Sequence, residues 1–193
     1  MEKIVITGVG VLSACGGTPE EMWAGLASGR GATGPVTRVD AQRLAHNVCG
    51  EVHGFDPSQH FGKEVEILDR FAQFAVVCTR RALADAGLGR RFGVNGGPPA
   101  RRVGVVTGTA LGGVESEDHG FQQLYARNAT RLHPYSIPRM MFNAGTSHVS
   151  MDTGAKGVSF AISTACASST HAIGEAWRLL RLGAADIMLA GGA

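Results

Sequence analysis

Short apolar runs alternate along the chain with longer amphipathic stretches. Four of these runs are rich in residues that favour extended backbone, and each is apolar on both faces. They predict strands at Lys3–Val9, Arg102–Thr107, Gly157–Ile162 and Ala185–Ala190. Strands without apolar–polar alternation are typical of parallel sheets that helices cover on both faces. The pattern therefore predicts an α/β fold with a mainly parallel sheet.

The amphipathic stretches predict helices. Pro19–Ala27 begins after Thr18, a residue type that caps helix N-termini, and carries two acidic residues in its first turn. Asp69–Ala86 ends at Gly87, a helix-terminating residue type. Its predicted buried face consists of Phe71, Phe74, Ala75, Cys78, Ala82 and Leu83. Further helical segments are expected around 114–127 and 138–150, and at Ala165–Leu182.

Glycine and proline mark the connections. Residues 29–62 predict loops with short strands, and residues 88–100 predict a Gly/Pro loop. The sequence GTALGG at 108–113 predicts a tight turn after the second strand. The length of the chain favours one domain, or one and a half.

Composition excludes several classes of partner. The chain has 193 residues, 44% of them hydrophobic and 18% charged, which is typical of globular proteins. Its formal net charge is only +2, and no basic face with interleaved aromatic residues is evident, so we expect no nucleic acid. No apolar run reaches about 18 residues, so we expect no membrane segment. MEKIVITGVG also lacks the pattern of a secretion signal.

The four cysteines are Cys15, Cys49, Cys78 and Cys166. They form no CxxC pair and are too widely spaced for a compact disulfide framework. Reduced thiols of this kind are typical of a reducing compartment, and we expect a cytoplasmic protein.

The sequence ITGVGVLS at 6–13 nearly matches the glycine fingerprint of dinucleotide-binding folds. In that motif a helix must start on the glycines, so that its N-terminus holds the pyrophosphate. Here five residues, Cys15 to Pro19, intervene, and Ser13 stands where the third glycine belongs. We therefore interpret the segment as a tight strand-to-loop turn, without a nicotinamide or flavin site.

Cys166 lies where a predicted strand is followed at once by a predicted helix, among alanines and serines. In the first turn of a helix, unpaired amides and the helix dipole favour a thiolate. The same amides can stabilise an oxyanion if the sulfur attacks a thioester carbonyl. A small buried hydrophobic side chain is the alternative, since free cysteine often packs cores. Position alone leaves both interpretations open.

The helix that follows Cys166 bears on the choice between a nucleophile and a core residue. Ile173, Trp177 and Leu180 share one stripe, with Ala172 and Ala176 available for close packing, and this predicts a helix buried in the middle of the molecule. His171 is five residues after Cys166, about 140° round the helix, and is interpreted as a helix-face residue rather than a base.

STACASS at 163–169 resembles the nucleophile motif of β-ketoacyl-acyl carrier protein synthases, the condensing enzymes of fatty-acid and polyketide assembly. Residues 5–33 are similar to the opening segment of the family, 101–113 to its second strand and glycine turn, and 185–193 to the strand after the nucleophile helix. The chain is most similar to the single-protein elongating type. The resemblance implies a thiolase-like fold, in which two βα halves pack in five αβαβα layers, and a homodimer that pairs through the strand at 158–162.

The resemblance also implies roles for individual residues. Cys166 matches the acyl-accepting cysteine, and its own amide matches one oxyanion donor. Leu111 matches a branched apolar residue at the acyl pocket, and Ser136 stands near an aromatic residue that in some relatives reaches the partner subunit's pocket. A serine there leaves room for a longer or branched acyl chain.

Carrier-protein docking departs from the family pattern. Glu66 and Ile67 stand where well-known relatives have basic residues that dock the acidic carrier protein. Lys63, Arg127 and Arg131 are the expected replacements. The implied reaction transfers an acyl group to Cys166 and then condenses it with malonyl-carrier protein as CO₂ is lost. It needs no metal and no cofactor.

We expect residues 1–193 to be the N-terminal half of such a synthase, since family members are about twice as long. The family's two catalytic histidines, its supporting lysine and its second oxyanion donor would then lie in the absent half. A polyketide ketosynthase, an inactive fragment and a catalytically silent partner subunit are the alternatives, although silent subunits usually lack the cysteine.

Overall fold

In the computed structural model, which describes residues 3–94 and 97–193, helices and strands alternate along the chain. The helices are α1 (Pro19–Ala27), α2 (Arg70–Asp85), α3 (Val114–Phe121), α4 (Ser136–Met140), α5 (Ala144–Thr153) and α6 (Ser168–Arg181). The strands are β1 (Gly34–Pro35), β2 (Val48–Cys49), β3 (Val103–Gly108), β4 (Ser159–Ile162) and β5 (Ile187–Gly192). Short 3₁₀ turns, among them Lys63–Ile67, fill the connections, and a π-helical segment, Gln122–Ala126, extends α3.

The central sheet is parallel, with strand order β4-β3-β5. Val105 of β3 is paired with Ser159 of β4 and with Leu189 of β5. The connection from β3 to β4 and the connection from β4 to β5 run in opposite directions across the sheet. Because such crossovers are right-handed, they place their helices on opposite faces. The α/β prediction is confirmed.

Alternate residues of β3 face the two helical layers. Val105 lies in a buried cluster with Val76 and Val77 of α2 and with Val149 of α5. Gly108, on the opposite face, lies against the first turn of α6. The central strand is therefore covered on both sides, which explains why its sequence shows no polar alternation.

Two helix ends, at Thr18 and Gly87, follow the prediction, and Asp69 is a cap that was not predicted. Thr18 Oγ1 accepts a hydrogen bond from the amide of Glu21 at 3.2 Å, and Asp69 caps α2. Gly87, directly after α2, has φ +66°, a left-handed conformation that glycine adopts without strain. Residues 29–62 form loops with the two-residue strands β1 and β2, as predicted. Of the predicted loop 88–100, residues 95 and 96 lie outside the described part of the chain.

The prediction of a strand at Lys3–Val9 is wrong for the described structure. This segment pairs with no described strand, and it runs beside α2 with Val5 and Ile6 exposed. A Cβ on Gly8 would lie 2.8 Å from the amide of Ala86, so the glycine permits backbone contact with the helix. The same close packing explains the glycines of the near-fingerprint without a bound dinucleotide.

The buried face of α2 is rotated from the predicted one. Only Leu83 of the predicted set is fully buried, and the others are half-buried. The fully buried residues are Ala72, Gln73, Val76, Val77 and Leu83. The N-terminal segment covers a further side of α2, so apolar residues outside the core face are also shielded from water.

The prediction that α6 is buried in the middle of the molecule holds for only one face of the helix among the described residues. Ala172 and Ala176 are buried, whereas Ile173 and Trp177 are 52% and 55% exposed. The small residues allow one face of the helix to approach the sheet closely, and the large apolar residues lie on the outer face.

One ion-pair cluster joins α2 and α5. Asp152 accepts hydrogen bonds from Arg80 Nε at 2.9 Å and from Arg90. Burial raises the pKa of Asp152, but the hydrogen bonds and the positive charges of Arg80 and Arg90 together outweigh burial and hold that pKa below the usual range. The ionised Asp152 carboxylate therefore stabilises the packing of α2 against α5.

No helix in the described part of the chain is long and apolar enough to cross a membrane.

Candidate active site

Two connections and the last residue of the chain meet at the carboxyl edge of the central sheet, the edge at which parallel α/β sheets carry their ligand sites. The glycine turn follows β3, residues 163–167 follow β4, and Ala193 follows β5. Ser163 Oγ donates a hydrogen bond to the carbonyl of Ala110 at 3.2 Å, and the amide of Ala193 donates to Gly108 at 3.1 Å. The turn that carries Cys166 is thus bonded to the turn that carries Leu111.

Cys166 lies exposed in a tight turn between β4 and α6. The amide of Ala167 donates to the carbonyl of Thr164, and the amide of Ser168 donates to the carbonyl of Ala165, each at 3.1 Å. Ala165 has φ +51°, in the left-handed region that residues with a Cβ rarely adopt. Such a conformation persists only where surrounding contacts enforce it, and it is frequent at active sites.

Ser168 supplies those contacts. Its side chain is buried, with Oγ accepting a hydrogen bond from the amide of Thr164 at 2.8 Å. The same hydroxyl donates to the carbonyl of Ala165 at 2.6 Å and lies 3.3 Å from the carbonyl of Thr109. One side chain therefore closes the turn on both sides of Ala165 and joins it to the end of β3.

Gly108 allows α6 to start against the sheet. A Cβ on Gly108 would lie 2.6 Å from the amide of Ser169 and still closer to the carbonyl of Ser168. Gly192 is in a similar position, since its Cβ would lie 2.7 Å from that of Ser169. Larger residues at either position would force α6, and with it the turn of Cys166, away from the sheet.

The position of Cys166 differs from the prediction. The helix begins at Ser168 rather than at Ala165, so Cys166 precedes the first helical residue by two positions. Ala165 cannot join the helix because of its positive φ. The amides of Ala167 and Ser168 are already bonded within the turn, so fewer amides remain available to a bound carbonyl than the sequence suggests.

His171 is exposed on α6, as predicted, and has a structural contact. Its Nδ1 shares a hydrogen bond with Thr164 Oγ1 at 2.9 Å. This contact links the beginning of the turn to the second turn of the helix. It adds a side-chain restraint to the one that Ser168 provides.

The predicted substrate residues occupy two neighbouring regions. Leu111 is 74% exposed in the glycine turn, next to the turn of Cys166. Ser136 begins α4, where its Oγ donates to the carbonyl of His133 at 2.7 Å. Gly113 packs against the backbone of Arg139, so the glycine turn and α4 are in contact. The acyl-pocket roles of Leu111 and Ser136 stay predictions.

The predicted docking residues lie on three different segments of the chain. Lys63 begins a 3₁₀ turn, Arg127 follows the π-helical segment, and both are exposed. Arg131 is exposed and lines a cavity with Ser136. Ile67 is half-buried and packs against the core, which explains an apolar residue at that position. The three docking roles remain predictions.

Ser168 and Gly108 are functional-site residues that the sequence interpretation missed. In the sequence Ser168 is one of several small residues around Cys166, and nothing there shows that its hydroxyl bonds within the turn. The available signal was a serine at the first position of a helix that has no side-chain N-cap.

No three His, Cys, Asp or Glu side chains within residues 3–94 and 97–193 are grouped as metal ligands would be.

Comparison with known proteins agrees with this geometry. The model of the β-ketoacyl synthase N-terminal domain matches residues 1–193. This chain belongs to the β-ketoacyl synthase family. It is 35% identical over 192 residues to the 3-oxoacyl-[acyl-carrier-protein] synthase 2 of Staphylococcus aureus (strain COL). That alignment covers 99% of the chain and 45% of the relative, so the chain spans about half the length of its relative.

Solved ketosynthases share the fold. The ishigamide ketosynthase/chain length factor superposes with a TM-score of 0.85 at 28% identity, over 98% of this chain and 46% of that one. A type II polyketide ketosynthase in complex with its acyl carrier protein superposes with a TM-score of 0.78 at 25% identity, over 98% and 44%. The parallel sheet and its helices are the N-terminal half of a thiolase-like ketosynthase fold.

Proposed function

We propose that this protein is a β-ketoacyl-acyl carrier protein synthase of fatty-acid biosynthesis, with Cys166 as its acyl-accepting nucleophile. The observation that carries the proposal is an exposed thiol on a left-handed turn, at the carboxyl edge of a parallel sheet and directly before a helix. The turn is enforced by two side chains, which is the preorganisation that a nucleophile requires. The curated relative of similar sequence is named for this activity.

The reaction has two half-reactions. In the first, the Cys166 thiolate attacks the thioester carbonyl of an acyl-carrier protein, and the carrier thiolate leaves and takes up a proton. In the second, malonyl-carrier protein loses CO₂, and the resulting enolate attacks the Cys166 thioester. The product is a β-ketoacyl-carrier protein two carbons longer, and the Cys166 thiolate is restored.

The amide of Cys166 is the oxyanion donor that we assign within this chain. Leu111 and Ser136 border the acyl chain in the proposal, and the contact between the glycine turn and the turn of Cys166 supports the placement of Leu111. The acid and base groups for decarboxylation are not assigned to any residue of this chain.

Carrier protein and a second copy of the chain are the proposed partners. Lys63, Arg127 and Arg131 are exposed cations suited to an acidic carrier protein. Among the described residues, β4 pairs on one side only, with β3. A free strand edge is a ready site for pairing, so we propose that two copies join through β4. The proposed location is the cytoplasm.

A ketosynthase of a polyketide pathway is the second candidate. It is favoured by the similarity to a polyketide ketosynthase solved with its carrier protein. A silent partner subunit is disfavoured, because the exposed Cys166 is then without a role. The two enzymatic candidates differ in the carrier protein that they accept and in the length of their product.

The test is a reconstituted condensation assay with the full-length protein, malonyl-carrier protein and acyl-carrier protein. We expect the wild type to form a β-ketoacyl product and Cys166→Ala to form none. The Cys15→Ala variant, which removes a thiol far along the sequence from the site, should retain activity. Equal condensation rates for Cys166→Ala and the wild type would refute the proposal. Exclusive use of a polyketide carrier protein would instead support the second candidate.

A further inference from the structure

A cavity of about 300 Å³ lies between α3, α4 and the loop that joins them. Ser116 and His119 line it from α3, Arg131 and His133 from the loop, and Arg139 from α4. Its volume corresponds to roughly ten water molecules. The cavity therefore suits a small molecule or one end of a larger one.

Two buried polar atoms of this cavity are unpaired. Ser116 Oγ and Arg139 Nε have no hydrogen-bond partner in the described part of the chain, although both atoms are shielded from solvent. Ser116 as a whole is only 9% exposed. A buried polar atom without a partner is costly, so each such atom calls for an explanation, and a bound ion is one that satisfies it. Both occur among the residues that line one cavity.

The chemistry of these two atoms defines the group that satisfies them. Guanidinium Nε–H can only donate a hydrogen bond, whereas a hydroxyl can donate or accept one. An acceptor that receives both hydrogens satisfies the pair. A carboxylate or phosphate oxygen does so with charge-assisted hydrogen bonds, which are the stronger kind.

Charge around the cavity favours an anion. Its lining includes the guanidinium groups of Arg131 and Arg139 and no acidic side chain. Two carboxylates of α3 have other partners: Glu115 pairs with Arg38, and Asp118 accepts from Gln122. The third, Glu117, is not in the lining. Asp69 accepts a hydrogen bond from the amide of Ser116 but caps α2 and is not in the lining.

One histidine adds a donor. His133 Nδ1 accepts a hydrogen bond from the amide of Tyr135 at 3.3 Å, so in the neutral ring the proton lies on Nε2. That ring therefore presents an N–H that can serve an anion within the cavity that it lines.

We infer that the cavity between α3 and α4 binds a small oxyanion, a carboxylate or a phosphate group, through Arg139 Nε and Ser116 Oγ. The inference does not rest on the proposed condensation, because its evidence is the two unpaired donors and the charge of the lining, although Arg131 and Ser136 of that lining also have roles in the proposed function. A bound carboxylate and a bound phosphate differ in size and charge, and separate titrations distinguish them.

The experiment is isothermal titration calorimetry of the purified full-length protein with sodium glutarate, with inorganic phosphate and with neutral glutaramide. We expect saturable 1:1 binding of at least one anion and none of glutaramide. Arg139→Met should weaken binding about tenfold or more, and Ser116→Ala about fivefold, as the loss of hydrogen bonds to a charged acceptor requires. Arg30→Met, an exposed arginine in another loop, should bind as the wild type does.

Absence of saturable binding of both anions would overturn the inference. Anion binding that Arg139→Met and Ser116→Ala leave unchanged would also overturn it, because the anion would then lie elsewhere. If circular dichroism shows that Arg139→Met does not fold, the same titrations of Arg139→Lys and Ser116→Ala test the inference instead. Lysine keeps the charge but lacks the planar fork, so it should bind more weakly than arginine.

Discussion

Ser168 Oγ accepts a hydrogen bond from the amide of Thr164 at 2.8 Å and thereby fixes the turn in which Cys166 lies. The same oxygen is a donor to Ala165, the residue held at φ +51°. The hydroxyl thus compensates for the strain immediately before the nucleophile. The position of the thiol depends on a side chain that never needs to touch substrate.

Ser168→Ala should loosen this turn. It leaves the amide of Thr164 without its acceptor, so we expect the free energy of unfolding to fall by about 1–3 kcal/mol and acylation of Cys166 to slow. Denaturant titration and the rate of acyl transfer measure the two effects. Thr170→Ala, at an exposed position two residues later, is the matched control. Equal effects of the two substitutions would show that Ser168 has no special role.

Gly108→Ala should disturb the same site from the sheet side. Its new Cβ would meet the backbone of Ser168 and Ser169, and we expect a loss of stability of about 3 kcal/mol. Gly174→Ala, inside α6 where nothing lies within 4 Å, should instead stabilise the helix by up to about 1 kcal/mol. Thermal unfolding of the pair measures this contrast. A tolerated Gly108→Ala would contradict the close approach of α6.

The cysteines should differ in reactivity toward iodoacetamide at neutral pH. Burial raises the pKa of the Cys78 thiol, and burial together with the Glu51 carboxylate raises that of Cys49. Both therefore have less of the reactive thiolate, whereas Cys166 is exposed. We expect Cys166 to be alkylated first, as peptide mass spectrometry over time would show. Equal labelling of all four cysteines would favour a chain without an activated nucleophile.

Stability should decrease in mild acid because of His148. Burial lowers the pKa of this histidine, although a hydrogen bond with the backbone of Ile67 acts the other way. The folded state favours the neutral ring, and the unfolded chain binds the proton below its pKa of about 6.5. The contribution of His148 to the free energy of unfolding is therefore fully present above about pH 6.5, and it is lost as the pH falls below that value.

Chemical denaturation at pH 7 and at pH 5 measures this difference. His148→Gln should reduce it, and His46→Gln, at an exposed position, should not. A pH dependence that His148→Gln leaves intact would assign the effect to other groups.

Patterns with a local physical cause were predictable from the sequence. Thr18 and Gly87 set helix ends as predicted, and the apolar runs at β3, β4 and β5 predicted the parallel sheet. The carboxyl end of β4 placed Cys166 at the correct edge, since strand direction fixes where a connection emerges.

Features that depend on neighbours distant in sequence were not predictable. The segment Lys3–Val9 has strand composition, yet a strand also needs a partner edge, and composition does not reveal one. The left-handed Ala165 has no signature because alanine favours helix, and contacts within the turn, chiefly the hydrogen bonds of Ser168, hold it there. The unpaired atoms of Ser116 and Arg139 depend on how α3 packs against α4.

Covalent acylation of Cys166 tests the central claim most directly. Full-length protein is incubated with acyl-carrier protein, without malonyl-carrier protein, and analysed by intact and peptide mass spectrometry. The wild type should gain one acyl group on the peptide that contains Cys166, and Cys166→Ala should gain none. Acylation at another residue, or an unchanged acyl adduct on Cys166→Ala, would contradict the assignment of the nucleophile.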